Sequence, residues 1–372
     1  MSKKGKILLA MSGGIDSSIA SILLQDMGYE VIGITMKTWE YQSSGSSKKE
    51  TGCCSLESIN DARNIAVKMG FNHYILDIRD EFGDYVIDYF TDEYMNGRTP
   101  NPCILCNTHI KWEALLKRAD KLDCEYIATG HYAKLRKEKS RFIISKGVDK
   151  LKDQSYALWG ISQKNLSRTI FPLGDLKKSE IKNIALKKGY KNLVDKSESY
   201  EICFVPDDDY RSFLKHRVKN LDKKIGEGSF LNEQGKVIGK HKGYPYYTIG
   251  QRKGLGIALG YPIYVTEIRK DANEVVIGTF DELKRDGMYV KKLNMMKYKE
   301  ITNKLNVDTK IRYNDKGNPS IIEKINDTMK VYFGNGVNAI TPGQAAVFYE
   351  KNDIIGGGWI HNSFKQKEYI QK

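Results

Sequence analysis

Three groups of residues in this 372-residue sequence have the types and spacing to do chemistry. The first is Ser12-Gly13-Gly14-Ile15-Asp16-Ser17-Ser18, between an apolar run, Lys6–Ala10, and a helical pattern, Ile19–Leu24. The run reads as a buried strand. Two glycines allow a tight turn and a close approach to a ligand. A strand, a glycine turn and a helix N-terminus form an anion cradle, because backbone N–H groups and the positive end of the helix dipole converge there. The second group is Cys103-Ile104-Leu105-Cys106, which follows Asn101-Pro102 on a proline-fixed loop. A thiol entering a helix is expected to have a depressed pKa, and the thiolate is the nucleophile. The third is Cys203, far along the chain in Tyr200-Glu201-Ile202-Cys203-Phe204.

Competing assignments fit less well. A Walker loop needs Gly-Lys-[Ser/Thr], and no lysine lies between Lys6 and Lys37; the fingerprint G-x-G-x-x-G is absent from the loop. A zinc ribbon needs a second C-x-x-C, whereas Cys53 and Cys54 are adjacent. A thioredoxin-type pair has the wrong surroundings. Cys203 alone reads equally as a packed structural thiol. Cys124, between Asp123 and Glu125, reads as structural or surface.

The elements that must position these groups alternate. Strands at Tyr29–Met36, His73–Asp77 and Tyr126–Thr129 alternate with helices around Ser58–Met69, Glu81–Asn96 and Ile110–Leu122, the last capped by Asn107 or Thr108. A polar loop spans Tyr41–Thr51. The alternation predicts an α/β fold with a parallel sheet covered on both faces. Ligands then sit at the C-terminal strand ends, where the glycine loop, Met36 and Gly130 fall. From Phe171 the chain reads as helical and basic, with a helix ending at Gly189. Residues 225–282 are glycine-dense, with aromatics beside bases in Gly243–Gly256. Beyond 283, short strands at Met288–Val290, Val307–Tyr313, Met329–Phe333 and Ala345–Tyr349 predict a small closed β-barrel. The expected domains are 1–215, 216–282 and 283–372.

Net charge is +14, from 60 basic and 46 acidic residues. That excess favours a polyanionic partner, although a solvated lysine-rich surface has the same composition. No apolar run reaches membrane-spanning length, so no membrane role is expected. The basic N-terminus leads straight into a core strand, against a cleaved signal peptide. The six cysteines show no disulfide framework, and a reducing, cytoplasmic location is expected.

The segment Ser12–Ser17 resembles the PP-loop of ATP pyrophosphatases. With Thr99-Pro100-Asn101-Pro102, Cys106-Asn107, Ala128-Thr129-Gly130-His131-Tyr132, Lys152-Asp153-Gln154-Ser155-Tyr156, Glu201–Phe204, Tyr247–Gly256 and Pro342-Gly343-Gln344-Ala345, the chain resembles the bacterial tRNA-specific 2-thiouridylase family over nearly its whole length. The resemblance implies a PP-loop (adenine nucleotide alpha hydrolase-like) domain, a small central domain and a C-terminal tRNA-binding barrel. It implies ATP with Mg2+ at Ala10, Met11, Ser12, Gly13, Gly14, Ile15, Asp16, Ser17, Met36 and Gly130. It makes Cys106 the nucleophile and Cys203 the persulfide carrier, charged by a sulfur-relay or cysteine desulfurase-type donor. It assigns Asn101, Pro102, Cys103, His131, Lys152, Asp153, Gln154, Arg312, Tyr313 and Gln344 to tRNA. The reaction implied is adenylation of O2 of the wobble uridine, then sulfur transfer to C2.

One position departs from the familiar motif, which has Asp where this chain has Cys103. Three thiols at Cys103, Cys106 and Cys203 would suit a [4Fe–4S] cluster with one open iron; the alternatives are a spectator Cys103, or one that resolves Cys203 as a disulfide. Two rival functions compete: a PP-loop amide-forming synthetase, which needs no paired cysteines, and a non-catalytic RNA-binding protein, which leaves the intact PP-loop unexplained.

Overall fold

The computed structural model describes residues 4–39, 55–195, 202–205 and 209–365. The loop expected at Tyr41–Thr51, together with Cys53, Cys54, Tyr200 and Glu201, lies outside the described residues. The chain divides into two compact units. One holds residues 1–87, 103–209 and 352–354, the other 88–102, 210–351 and 355–372.

The first unit is built on a five-stranded sheet. Its strands are β1 (Lys6–Ala10), β2 (Glu30–Lys37), β3 (His73–Asp77), β4 (Tyr126–Ala128) and, after a hairpin formed by β5 (Ala133–Glu138) and β6 (Arg141–Lys146), β7 (Thr169–Ile170). The order is β3-β2-β1-β4-β7 and each pairing is parallel. Ile7, Leu8 and Leu9 of β1 are buried, as a central strand covered on both faces requires. Helix α1 (Ile15–Asp26) packs Ile15, Ile19 and Ile22 into one core with Ala62 and Ile65 of helix α2 (Leu56–Met69). Tyr132, and Ile181 and Ala185 of the helix Lys178–Lys187, join the same core. That last helix stops as its sequence demands, with Gly189 at φ +80° just beyond the cap residue Lys188.

Two helical expectations need correction. The run expected at Glu81–Asn96 begins at Arg79, widens into a π-helical turn at Gly83–Ile87 and ends at Met95. The helix expected to be capped by Asn107 or Thr108 begins earlier, at Pro102, and passes through a π-helical stretch, Cys106–Ala114, before Leu115–Lys121. Proline suits a first helical position because its missing N–H would have no partner there. Thr108 is inside the helix and donates to the Ile104 carbonyl at 2.9 Å. The C-x-x-C therefore lies within the helix and not on a loop before it.

The second unit contains a four-stranded sheet and a barrel. The sheet is formed by β8 (Gly228–Leu231), β9 (Val237–His241), β10 (Tyr264–Arg269) and β11 (Glu274–Gly278), in the order β10-β11-β8-β9. Tyr244, Tyr246 and Tyr247 are buried, so these aromatics serve packing. The barrel strands are β12 (Lys284–Met295), β13 (Leu305–Lys310), β14 (Asn318–Ile325), β15 (Thr328–Asn338), β16 (Ala345–Glu350) and β17 (Asp353–Phe364). They run β12-β15-β14-β13-β16-β17, and a pairing of β12 with β17 closes the ring. Met288, Val290, Ile322, Val331, Phe348 and Ile360 fill its interior. Closure removes the exposed edges that an open sheet of this size would present. The strand expected at Val307–Tyr313 ends at Lys310, which leaves Arg312 and Tyr313 in the turn beyond it. No described helix is long and apolar enough to cross a membrane.

Candidate active site

The loop after β1 takes its shape from one glycine that tolerates no side chain and from a second that comes close beside it. Gly13 has φ +69°, and a Cβ there would lie 2.1 Å from the Ser58 carbonyl oxygen. Gly130, beyond β4, approaches the other side, and its Cβ would lie 3.1 Å from the Ser17 nitrogen. Gly14 is the N-cap of α1 and caps it with no side chain. The hydroxyls of Ser17 and Ser18 turn back to the Gly14 carbonyl, at 3.1 and 2.9 Å. Ser17 Oγ also accepts from the Ser12 N–H at 3.2 Å. The serines thus rigidify the loop from within, and the first turn of α1 is left without a side-chain cap, which is the arrangement an anion takes up. Ala10, Met11, Ser12 and Ile15 complete the turn, and Met36 lies in the neighbouring β2.

Asp16 lies in the first turn of α1 with its side chain one-third exposed (33%). Lys178 Nζ donates to both carboxylate oxygens, at 2.7 and 2.8 Å. The Tyr132 hydroxyl donates to Oδ1 at 2.6 Å. The sequence reading assigns neither partner a role. Tyr132 stands inside a motif whose neighbours attract the attention, and Lys178 looks like any lysine of a basic helix; no signal in the sequence distinguishes it.

The segment Lys152-Asp153-Gln154 stands beside this group. Gln154 Oε1 accepts from the Tyr132 N–H, and the Gln154 N–H donates to the Tyr132 carbonyl, both at 3.0 Å. The Asp153 carboxylate accepts from the N–H groups of Gly147 and Ser155 and from the Ser155 hydroxyl, so it shapes the turn locally. The His131 Nδ1 is 2.7 Å from Thr129 Oγ1, and its ring lies against Trp112 and Phe171. Burial holds this imidazole well below its usual pKa, and the charge of Lys111 adds to the effect.

The cysteines are placed differently from expectation. Cys103 has exposed surface, yet protein crowds it closely enough for desolvation to push its thiol pKa up, against the opposing pull of Lys111. The helix start predicts a depressed value, and the crowding is why it does not arise. Cys106 is half-buried at the first residue of the π-helical stretch. Its neighbour Asn107 is buried and donates to the Ala157 carbonyl at 2.9 Å, which ties that stretch to the turn after Gln154. Cys203 is exposed, and the adjacent Phe204 is buried against Phe82 and Trp39. Phe204 therefore anchors a short segment that presents Cys203 to solvent. Among the described residues no three His, Cys, Asp or Glu side chains group to hold a metal ion.

The remaining candidates belong to the second unit. Gln344 Nε2 donates to the Thr99 and Pro100 carbonyls at 3.2 and 2.8 Å, and the Thr99 N–H donates to the Pro342 carbonyl. Gln344 therefore fixes the loop that carries Asn101 and leads to Pro102. Arg312 and Tyr313 lie exposed in the turn between β13 and β14. The Asp315 carboxylate staples that turn by accepting from the Ile311 and Gly317 N–H groups and from Asn318 Nδ2.

Comparison with known proteins bears on this arrangement. Sequence profiles match in three consecutive stretches: a tRNA methyl transferase HUP domain over residues 5–207, the PRC-barrel domain of the same proteins over 211–279, and an aminomethyltransferase beta-barrel domain over 285–360. The tRNA-specific 2-thiouridylase MnmA of Amoebophilus asiaticus is 67% identical over 368 residues, covering 99% of this chain and 98% of its own. That of Cytophaga hutchinsonii is 64% identical, covering 98% and 100%, and that of Salinibacter ruber is 54% identical, covering 97% and 95%. The profile names mention methyl transfer, but the near-complete matches carry more weight than a domain label. The chain belongs to the tRNA-specific 2-thiouridylase family.

Proposed function

We propose that this protein installs sulfur at C2 of the wobble uridine of tRNA in the cytoplasm, using ATP to activate O2. The observation that carries the reading is the cradle made by the tight turn at Gly13 and the close approach of Gly130 around an uncapped helix start, with Asp16 at its rim. The cradle fits the pyrophosphate of ATP, and Asp16 would face its Mg2+. Bonding of the α-phosphorus to O2 expels pyrophosphate and leaves C2 open to a nucleophile. Cys203, exposed beside its Phe204 anchor, would carry the persulfide received from a donor protein. Its terminal sulfur attacks C2 and AMP leaves with O2. Cys106 then cleaves the S–S bond, or cleaves it first and releases hydrosulfide; either route ends in a Cys106–Cys203 disulfide that a cellular thiol must reduce. This route uses Cys106 and Cys203 alone and calls on no [4Fe–4S] cluster.

The domains read as catalytic over 1–215, central over 216–282 and tRNA-binding over 283–372. Asn101, Pro102, Cys103, His131, Lys152, Asp153, Gln154, Arg312, Tyr313 and Gln344 would meet the RNA. The base must be splayed out of the anticodon loop to reach such a pocket. Since Cys103 replaces the carboxylate of the familiar motif, the proton transfers cannot rely on one at that position. The test is mass spectrometry of tRNA nucleosides after incubation with Mg·ATP and a persulfide source. Thiouridine dependent on ATP is expected; ATP-dependent amide formation on a small substrate, or RNA binding with no turnover, would overturn the reading.

A further inference from the structure

Asp16 ends two chains of hydrogen bonds that start from one short segment, residues 149–154. Along the first, the Asp149 carboxylate accepts from the Lys178 N–H at 2.9 Å, and the Lys178 ammonium holds both oxygens of Asp16. Along the second, Gln154 and Tyr132 exchange two hydrogen bonds, and the Tyr132 hydroxyl donates to Asp16. Both intermediates are fixed in place. Lys178 is 9% exposed and begins a helix whose Ile181 and Ala185 pack in the same core as Ile15 and Ile19 of α1. Tyr132 is 2% exposed and belongs to that core too. A Cβ on Gly130 would lie 3.1–3.2 Å from the backbone of Ser17 and Asp16, so the residues that lead to Tyr132 run close beside the loop.

We propose that Lys178 and Tyr132 are positioning residues that hold the Asp16 carboxylate and couple nucleotide binding at the glycine loop to RNA binding at Lys152–Gln154. The proposal rests on the functional reading above. A carboxylate that must face a metal–nucleotide complex loses rotational freedom on binding. RNA contacting the 149–154 segment bears on the held donors Lys178 and Tyr132, and so favours the Asp16 rotamer they impose, which is the one the nucleotide complex meets. By linkage, nucleotide must tighten RNA by the same factor.

The experiment is fluorescence anisotropy of a labelled substrate tRNA transcript on the full chain, with and without Mg2+ and the α,β-methylene analogue of ATP. The parent protein should bind tRNA at least about fivefold more tightly with the analogue, the lower end of ordinary couplings. Lys178→Met and Tyr132→Phe should each reduce that ratio to less than about twofold, and Lys178→Arg should restore most of it. Tyr132→Phe keeps the ring in the core, so its result stands even where Lys178→Met folds poorly. A purely structural role would lower both affinities without changing their ratio, and that outcome overturns the proposal. So does a parent ratio near one while the analogue still binds. A parent that binds no analogue at all overturns the functional reading itself, and this proposal with it.

Discussion

The loop at Ser12–Ser17 and the turn at Pro102–Cys106 are both helix starts, and they use the position in opposite ways. At the first, an ordinary 12-residue α-helix begins behind a glycine with no side-chain cap, so its N–H groups and dipole are available to an anion. At the second, four helical residues give way at once to a π-helical stretch, and the Cys103 thiol is crowded by protein. A helix dipole contributes about 0.3–1 kcal/mol to a charge at its start, and a shift of one pKa unit is worth about 1.4 kcal/mol. Desolvation of a thiolate moves its pKa by more than that when neighbours are close. At Cys103 desolvation therefore outweighs the dipole, whereas the uncapped start of α1 carries no such crowded thiol.

The sharpest way to break this contrast is to remove the charged group at the open start. Asp16→Ala should cut tRNA-dependent pyrophosphate release by roughly 100-fold or more, the scale of losing one electrostatic stabiliser of a transition state. Cys203→Ser is the complementary control: it should release pyrophosphate but transfer no sulfur, since a hydroxyl cannot hold a persulfide. Full thiolation by Cys203→Ser in a persulfide-dependent assay would remove Cys203 from the route.

A second substitution tests the shape of the cradle. Gly13→Ala places a Cβ against the Ser58 carbonyl at a positive φ. It should lower thermal stability by about 1–3 kcal/mol and weaken nucleotide binding further, read by calorimetry of unfolding and of ATP titration. An unchanged ATP affinity would show that the loop is not the nucleotide cradle.

At the crowded start the expected effect is smaller and depends on pH. Cys103 has a raised pKa, so its thiolate fraction at neutral pH is lower than that of an unperturbed cysteine. Iodoacetamide labelling followed by peptide mass spectrometry should find that Cys103 reacts slowly near pH 7 and accelerates only in alkali. Fast labelling at pH 7 would mean that the helix dipole outweighs the crowding after all. His131 carries the opposite sign. Its folded pKa is depressed, so its contribution to stability is present above about pH 6.5 and is lost as pH falls, because the unfolded histidine takes up the proton first. Urea midpoints measured from pH 8 to 5 should fall less in His131→Asn than in the parent.

The smallest expected effects concern the net charge of +14. Affinity for tRNA should fall steeply with salt through counterion release, and Arg312→Ala should flatten the logarithmic slope by about one. A flat response in the parent would make the basic excess a property of the solvated surface.

What the sequence determined by itself was everything set by neighbours along the chain. The apolar run Lys6–Ala10, the two glycines and the serines specify a strand, a turn and a helix, because period, backbone freedom and capping act over a few residues. Alternating strands and helices specify the parallel sheet, and the succession of short strands beyond 283 specifies the barrel. The tertiary structure decided what depends on distance through space. Lys178 reaches Asp16 across 162 positions of sequence, and nothing in its own surroundings singles it out. The resemblance implies an RNA role for Gln344, whereas folding shows it holding the Thr99 and Pro100 carbonyls. The pKa of Cys103 was decided by the same kind of contact. A helix start can be read from letters, but the density of atoms that later close around it cannot, and desolvation depends on that density alone.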